Sequence, residues 1–163
     1  MQLVLAALLI ALGTPAIAQE SVAFFGVTLL DSSLQSAELG AAPAEQTRLE
    51  MLEELIADRF TQEGYELLDL APVAADLDRV VNPAKCYGCD VRMADKLGAD
   101  FILVGEVQKV SNLILTMNLQ MRDPGTGQTV KGRVVDIRSN TDEAWLRGMK
   151  YILKTAFFPP EGK

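Results

Sequence analysis

The sharpest chemical signal in this chain is its only pair of cysteines, in the segment Cys86-Tyr87-Gly88-Cys89. In an oxidising compartment the simplest outcome for such a pair is a disulfide that clasps the loop before the next helix. Redox exchange is the alternative, because Cys89 lies near a predicted helix start, where the helix dipole stabilises a thiolate. Two sulfurs without a histidine make only half of a zinc site, and Asp90 stands where a haem-attachment motif has histidine.

A second concentration of polar residues lies between the last predicted strand and the last predicted helix. Its acidic residues suit the first turn of a helix, where negative charge is favourable, and a surface ion pair accounts for the others. The other interpretation is a recognition patch that combines carboxylates, an arginine and an indole. Together with the polar face of the preceding hairpin, the candidate interaction surface comprises Asn118, Gln120, Arg122, Asp136, Arg138, Asn140, Trp145 and Arg147.

Composition excludes several classes of function. The chain contains no histidine, which rules out a Ser-His-Asp or Cys-His nucleophile and removes the commonest transition-metal ligand. A formal net charge of −7 makes the chain a poor binder of nucleic acid or anionic lipid. A hydrolase with two carboxylates would need a cleft and one acid of raised pKa, and the sequence shows neither. We therefore predict no catalytic residue, no metal and no cofactor.

The start of the chain predicts export. Residues 1–18 carry no charged side chain, residues 3–12 are all apolar, and Ala16-Ile17-Ala18 is typical of a signal-peptide cleavage site. The apolar run is too short to cross a bilayer, which takes about 20 residues. We expect a signal peptide over residues 1–18, cleaved near Ala18, a single periplasmic domain over residues 19–163, and no membrane span.

Hydrophobic periodicity predicts the elements that position these residues. The apolar residues 21–30 predict a strand buried on both faces, and an apolar stripe predicts a long helix over residues 43–62. Residues 113–122 alternate apolar and polar side chains, which is typical of a strand with one solvated face. The polar stretch 31–42 is expected to be a loop. Further strands are predicted at 65–70, 101–110 and 128–138, and further helices at 71–81, 91–97 and after Asn140, the expected N-cap.

This order of elements defines the expected fold, an α/β (α+β) domain. Its mixed sheet ends in a C-terminal antiparallel meander of three strands, with a turn at residues 124–127. Helices are expected to pack mainly on one face of the sheet, which leaves the other face partly wet along the meander. Gly105, inside a strand, indicates a bulge or a close approach of the backbone.

Two stretches of the chain resemble known families. Residues 93–107, MADKLGADFILVGEV, resemble the helix-to-strand junction of small envelope domains related to the N-terminal domain of TolB and to the curli secretion protein CsgG. Asp123, Thr126 and Gly127 match the hairpin that follows in those domains. More closely, residues 105–153 resemble an uncharacterised family of exported proteobacterial proteins, a domain of unknown function. This resemblance implies an α/β fold and an envelope location, and it supplies no activity.

The expected function is that of a small soluble periplasmic module without catalytic activity, which binds another envelope or exported protein. The missing histidine, the lack of a convergent catalytic set and the family resemblance favour it. Two alternatives stay open at this point. One is a periplasmic thiol–disulfide protein that uses Cys86 and Cys89, and the other is a small-ligand binding protein.

Overall fold

The structure is a computed structural model that describes residues 19–40 and 43–160, so the predicted signal peptide lies outside the described residues. Short 3₁₀ turns lie at Ala71–Val73 and Pro83–Lys85, and a π-helical turn spans Leu153–Phe157. The elements in chain order are β1 (Ser21–Asp31), α1 (Leu34–Leu39), α2 (Pro43–Gln62), β2 (Glu66–Leu67), α3 (Ala74–Leu77), α4 (Cys89–Leu97), β3 (Phe101–Ser111), β4 (Ile114–Arg122), β5 (Thr129–Arg138) and α5 (Asp142–Ile152).

The strands form one five-stranded sheet in the order β2-β1-β3-β4-β5. β1 pairs in parallel with β2 and β3, whereas β3, β4 and β5 pair antiparallel in chain order. The turn between β4 and β5 is fixed by Asp123, whose carboxylate accepts the Thr126 amide at 2.9 Å. The predicted mixed α+β fold with a C-terminal meander is therefore confirmed.

The two long helices, α2 and α5, pack on one face of the sheet, here called the first face. They cover the apolar side chains of the alternating strand β4, as its period of two predicts. Gly148 lets α5 approach closely, since a Cβ there would lie 2.6 Å from Ile137 Cγ2. The buried residues that β4 contributes are Leu115, Met117, Leu119 and Met121.

The opposite or second face has a smaller cover. α4 and the short turns before it bury the centre of β1 and β3, where Phe25, Met93 and Val104 meet. Gly105 belongs to the first face, and its close neighbour is a side chain rather than a backbone segment, because a Cβ there would lie 2.8 Å from Val27 Cγ2. Along the meander the second face is open, and Val134 is more than half exposed. Helices thus pack mainly on the first face.

The expected loop at residues 31–42 is wrong over Leu34–Leu39, which forms α1. Ser33 caps this helix by accepting the Ser36 amide, and Asp31 in turn accepts the Ser33 amide at 2.9 Å. Serine and aspartate are common in turns as well as at helix N-caps, so the composition of this stretch does not distinguish a loop from a capped helix. Residues 41–42 lie outside the described ranges.

Other element boundaries also differ from the prediction. Of the expected strand at residues 65–70 only Glu66–Leu67 pairs with β1, and the helix expected at 71–81 shortens to a 3₁₀ turn and α3. α4 begins at Cys89 rather than at residue 91. Leu113 lies in the turn before β4 and is 70% exposed, so it is not part of the core as its alternation suggested.

Candidate functional site

Tyr87 stands at the tip of the loop that the two cysteines flank. The Cα atoms of Cys86 and Cys89 are 5.5 Å apart and their Sγ atoms lie at disulfide-bond distance. Tyr87 has a φ of 55° and Gly88 a φ of 91°, so two consecutive residues adopt the left-handed region. The tyrosine side chain is 100% exposed and therefore buries nothing in the fold. A bulky residue in this unfavourable backbone region, with no packing role, points to a role outside folding.

An ion pair ties this loop to the hairpin of β4 and β5. Arg122 Nη1 donates to Asp90 Oδ2 at 2.7 Å, and Arg122 Nη2 donates to the Ala84 carbonyl at 2.8 Å. Asp90 is buried in the first turn of α4, so its charge is compensated by both the arginine and the helix dipole. Gln120 Oε1 accepts a further hydrogen bond from Arg122 at 2.6 Å and fixes the guanidinium on the sheet.

A second ion pair holds the start of the same loop against β3. Glu106 is largely buried and accepts from Lys85 Nζ at 2.8 Å and from Asn82 Nδ2 at 2.7 Å. Next to it on β4, Asn118 has a buried Oδ1 that finds no hydrogen-bond partner among the described residues. Two charged side chains of the sheet, Glu106 and Arg122, therefore hold the loop at its two ends.

Between the loop and the hairpin lies a cleft of about 380 Å³, the loop–hairpin cleft, lined by Tyr87, Asp90, Arg122 and Gly127 among others. Each charge at this cleft has a partner, because Arg122 pairs with Asp90 and Lys85 with Glu106. A nucleophile or general base needs a free, activated group, and the cleft presents none. The cleft thus combines an exposed aromatic ring with charged side chains that are paired with one another.

The structure divides the predicted interaction surface between two faces. Asn118 and Gln120 lie with Arg122 on the second face, beside the cleft. Asp136 and Arg138 of β5 share that face, and Thr116 Oγ1 donates to Asp136 at 2.9 Å. The period of two in β4 and β5 is the sequence signal that brings these five residues together.

The other three predicted residues lie elsewhere. Trp145 is 0% exposed on the first face, so the indole is not part of an exposed patch as the sequence suggested. Its Nε1 donates to Asn140 Oδ1 at 2.9 Å. Asn140 is not the N-cap of α5 either, since Thr141 Oγ1 accepts the Ala144 amide in that role. Arg147 is exposed on α5 and pairs with Glu143 one turn earlier.

Sequence reasoning missed a buried ion cluster at the end of the sheet, formed by Asp31, Glu45 and Lys109. Lys109 is 2% exposed, and its Nζ lies 2.6 Å from Glu45 Oε1 and 3.1 Å from Asp31 Oδ2. The sequence did contain a signal for this cluster, namely the position of Lys109 and Glu45 within the hydrophobic periods of β3 and α2. Lys109 follows Val107 by two along β3, and Glu45 precedes Leu49 by four along α2, so each shares the buried side of its element.

The cluster shifts the pKa of two of its members. Burial alone would raise the pKa of Asp31, but hydrogen bonds from Ser33, Ser36 and Lys109 outweigh it and hold that pKa well below its ordinary range. Burial likewise favours a neutral Lys109, but the carboxylates of Glu45 and Asp31 raise its pKa above the ordinary 10.5. Lys109 is thus a charged structural group, unsuited to act as a base.

The described residues contain neither a cluster of metal ligands nor a helix that could cross a membrane. Within residues 19–40 and 43–160, no group of three or more acidic, cysteine or histidine side chains is placed to hold a metal ion. In the same ranges no helix combines the length and the apolar character that crossing a bilayer demands.

The fold and the cleft define a class, an α+β domain with one mixed sheet and an exposed aromatic loop on its less covered face. Residues 20–157 match the family DUF3280, described as a protein of unknown function (DUF2380), and the chain belongs to this family. The expectation of a family of unknown function is confirmed. A search of curated proteins finds no match. The more distant likeness to TolB and CsgG is not confirmed and stays a prediction.

Solved structures share the fold at low sequence identity. The C-terminal domain of LpoB from Salmonella enterica is 15% identical, with a TM-score of 0.52 over 77% of this chain and 87% of that one. Lipoprotein GNA1162 from Neisseria meningitidis is 15% identical, with a TM-score of 0.53 over 80% and 90%. The LpoB C-terminal domain from Escherichia coli is 16% identical, with a TM-score of 0.51 over 78% and 88%. These similarities establish the architecture alone.

Proposed function

We propose that this chain is an exported, non-catalytic module of the bacterial envelope that binds a partner protein through Tyr87 and the loop–hairpin cleft. The observation that carries this proposal is the fully exposed tyrosine on a loop pinned by two ion pairs. The apolar residues 3–12 support export, and the printed name of GNA1162, a lipoprotein of the same fold, supports an envelope location.

Tyr87 has the properties of a binding anchor. Tyrosine is enriched at the energetic centres of interfaces, where a large ring is buried at low cost in conformational entropy. Here the clasp and the ion pair between Asp90 and Arg122 already fix the loop, so little ordering remains to be done on binding. Truncating such an anchor typically costs about 2 kcal/mol or more, which is roughly 30-fold in Kd.

The absence of catalysis rests on the chemistry of the chain. No histidine is present to serve as a base at neutral pH, and the cleft's acids and bases neutralise one another in ion pairs.

The test is site-specific photocross-linking in the native host. A benzophenone amino acid replaces Tyr87, and a matched control replaces Leu34, which is 79% exposed on α1. We expect a discrete adduct with one envelope protein from position 87 and none from position 34. For the partner identified in this way, Tyr87→Ala should weaken the Kd roughly 30-fold, and Tyr87→Phe should weaken it far less.

Two results would overturn the proposal. The first is the lack of any adduct at position 87 in a protein that is folded and exported, together with turnover of a small molecule. The second is the recovery of the protein from the cytosol with Met1 still attached. Export and binding are thus tested separately.

The rival function, thiol–disulfide exchange, is favoured by one observation. Cys89 is the first residue of α4, where the helix dipole stabilises a thiolate. Its prediction is a reduction potential above about −300 mV, the range below which structural disulfides typically lie. A double variant, Cys86→Ser with Cys89→Ser, that keeps full cellular function would refute this rival.

A further inference from the structure

β5 is one of the two edge strands of the sheet, and its outer edge is open. β5 is the last strand in the order β2-β1-β3-β4-β5, and no other described strand pairs with its outer side. It spans ten residues, and Val130 and Val134 are about half exposed along it. Antiparallel pairing uses every second backbone amide of an edge strand, so the alternate amides of β5 remain free to pair with a further strand.

The charges along this edge are unlike those of the rest of the chain. Six lysines and arginines of the described ranges form no ion pair: Arg92, Lys131, Arg133, Arg138, Lys150 and Lys154. Three of them lie on β5, where Asp136 is the only carboxylate. In a chain with a net charge of −7, the open edge is therefore its basic side.

A neighbouring tyrosine holds one of these cations, Arg133, in place. The guanidinium of Arg133 lies 5.2 Å from the ring centre of Tyr151, and its Nη2 donates to the tyrosine hydroxyl at 3.3 Å. Beside β5 a cleft of about 340 Å³ opens toward α5, lined by Ile137, Arg138 and Arg147 among others. An added strand would therefore lie beside Arg133, which Tyr151 holds in place, and beside a cleft that can accept a side chain.

We infer that the edge of β5 docks an extended, acidic segment of a partner protein by adding it to the sheet as a sixth strand. Backbone hydrogen bonds supply affinity in this mode, and alternate side chains supply specificity. The inference rests on the proposed function as a protein-binding module but uses a surface separate from Tyr87. Charge complementarity selects the occupant, since a neutral or basic strand gains nothing from Arg133 and its neighbours.

The test uses the purified mature protein and a synthetic eight-residue peptide that alternates glutamate and valine. Binding is followed by titration, and the location by hydrogen exchange of the β5 amides. We expect the peptide to slow the exchange of the outward-facing β5 amides, and a peptide with alternate backbone amides methylated not to do so. Arg133→Glu should weaken the Kd about tenfold, whereas Arg92→Glu, at an unpaired cation outside the edge, should leave it unchanged.

Each other outcome would overturn the inference. Equal binding of a glutamine–valine peptide would remove the acidic preference, and equal binding of the methylated peptide would remove strand addition. Protection of β5 that rises with protein concentration alone would show that a second copy occupies the edge. Because the assay does not involve Tyr87, a failure here leaves the cross-linking result at position 87 intact, and the reverse also holds.

Discussion

Replacing Lys109 by methionine should be among the most destabilising substitutions in this chain. The side chain is 2% exposed, and its Nζ contacts Glu45 Oε1 at 2.6 Å, Asp31 Oδ2 at 3.1 Å and Ser36 Oγ at 3.1 Å. Methionine fills a similar volume but leaves the buried carboxylate of Glu45 and the partly buried carboxylate of Asp31 without their cation. Removing one partner of a buried ion pair typically costs 3–5 kcal/mol, so we expect a loss of about 3–5 kcal/mol at pH 7.

Lys96→Met is the matched control, because it also removes a lysine from a carboxylate. The Lys96 Nζ lies 3.3 Å from Asp76 Oδ2, and both side chains of this pair are about half exposed. Water screens this pair and solvates the lysine, and exposed pairs typically contribute about 0.2–1 kcal/mol. The control therefore separates burial from the mere presence of an ion pair.

The loss should depend on pH in a definite direction. The pKa of folded Asp31 lies below its ordinary value of 3.8, so its stabilising contribution is complete at neutral pH and is lost as the pH falls below 3.8. The raised pKa of Lys109 makes its contribution persist until the pH rises above 10.5. In acid a protonated Asp31 needs no cation, so the difference between wild type and Lys109→Met should shrink.

Trp145 makes the measurement direct. It is the only tryptophan in the chain, it is fully buried, and Asn140 links its indole to Glu45 of the cluster. Urea unfolding followed by its fluorescence therefore reports the free energy of unfolding at the cluster itself. A loss below about 1 kcal/mol, equal to that of Lys96→Met, or a loss independent of pH, would refute the reasoning from burial.

Three other variants test the packing of α5, the disulfide and the proposed anchor Tyr87. Gly148→Ala would place a Cβ 2.6 Å from Ile137 Cγ2, so thermal unfolding should show a loss of about 1–3 kcal/mol despite the better helix propensity of alanine. Cys86→Ser with Cys89→Ser should cost about 2 kcal/mol in urea unfolding by loop closure, and reduction of the wild type should give the same loss. Tyr87→Gly should leave stability unchanged or raise it by about 1 kcal/mol, because it relieves a left-handed tyrosine that packs on nothing, while partner binding is lost. A large loss of stability in that variant would contradict the role of anchor.

Elements with a strong hydrophobic period could be predicted from the sequence alone. The apolar side chains of α2 recur at helical spacing and those of β4 at every second residue. Only a helix in the first case and a strand in the second buries all of them on one side. The α1 helix could not be predicted, since it depends on hydrogen bonds among Asp31, Ser33 and Ser36 and on Lys109, which is distant in the chain. Judged by local composition alone, these residues are typical of a loop.

The site was predicted in part for the same reason. Residues of the wet hairpin face, such as Gln120 and Arg122, follow from the period of two, whereas the burial of Trp145 depends on how α5 rotates against the sheet. Tyr87 was visible in the sequence only as a neighbour of the cysteines. Its exposure and left-handed backbone are properties of the folded loop, and no pattern of residue types encodes them.

At the cysteine loop, a substitution of Arg122 should affect both stability and binding, whereas a substitution of Tyr87 should affect binding alone. Arg122 joins the loop to the sheet through Asp90 and Ala84, so Arg122→Met should leave Asp90 buried without its cation and should release the loop. That variant is expected to lose stability and partner binding together. Tyr87 contacts nothing in the fold, so its truncation is expected to affect binding alone. If both variants lost stability to the same extent, the loop would be a structural clasp, and the case for Tyr87 as an anchor would fail.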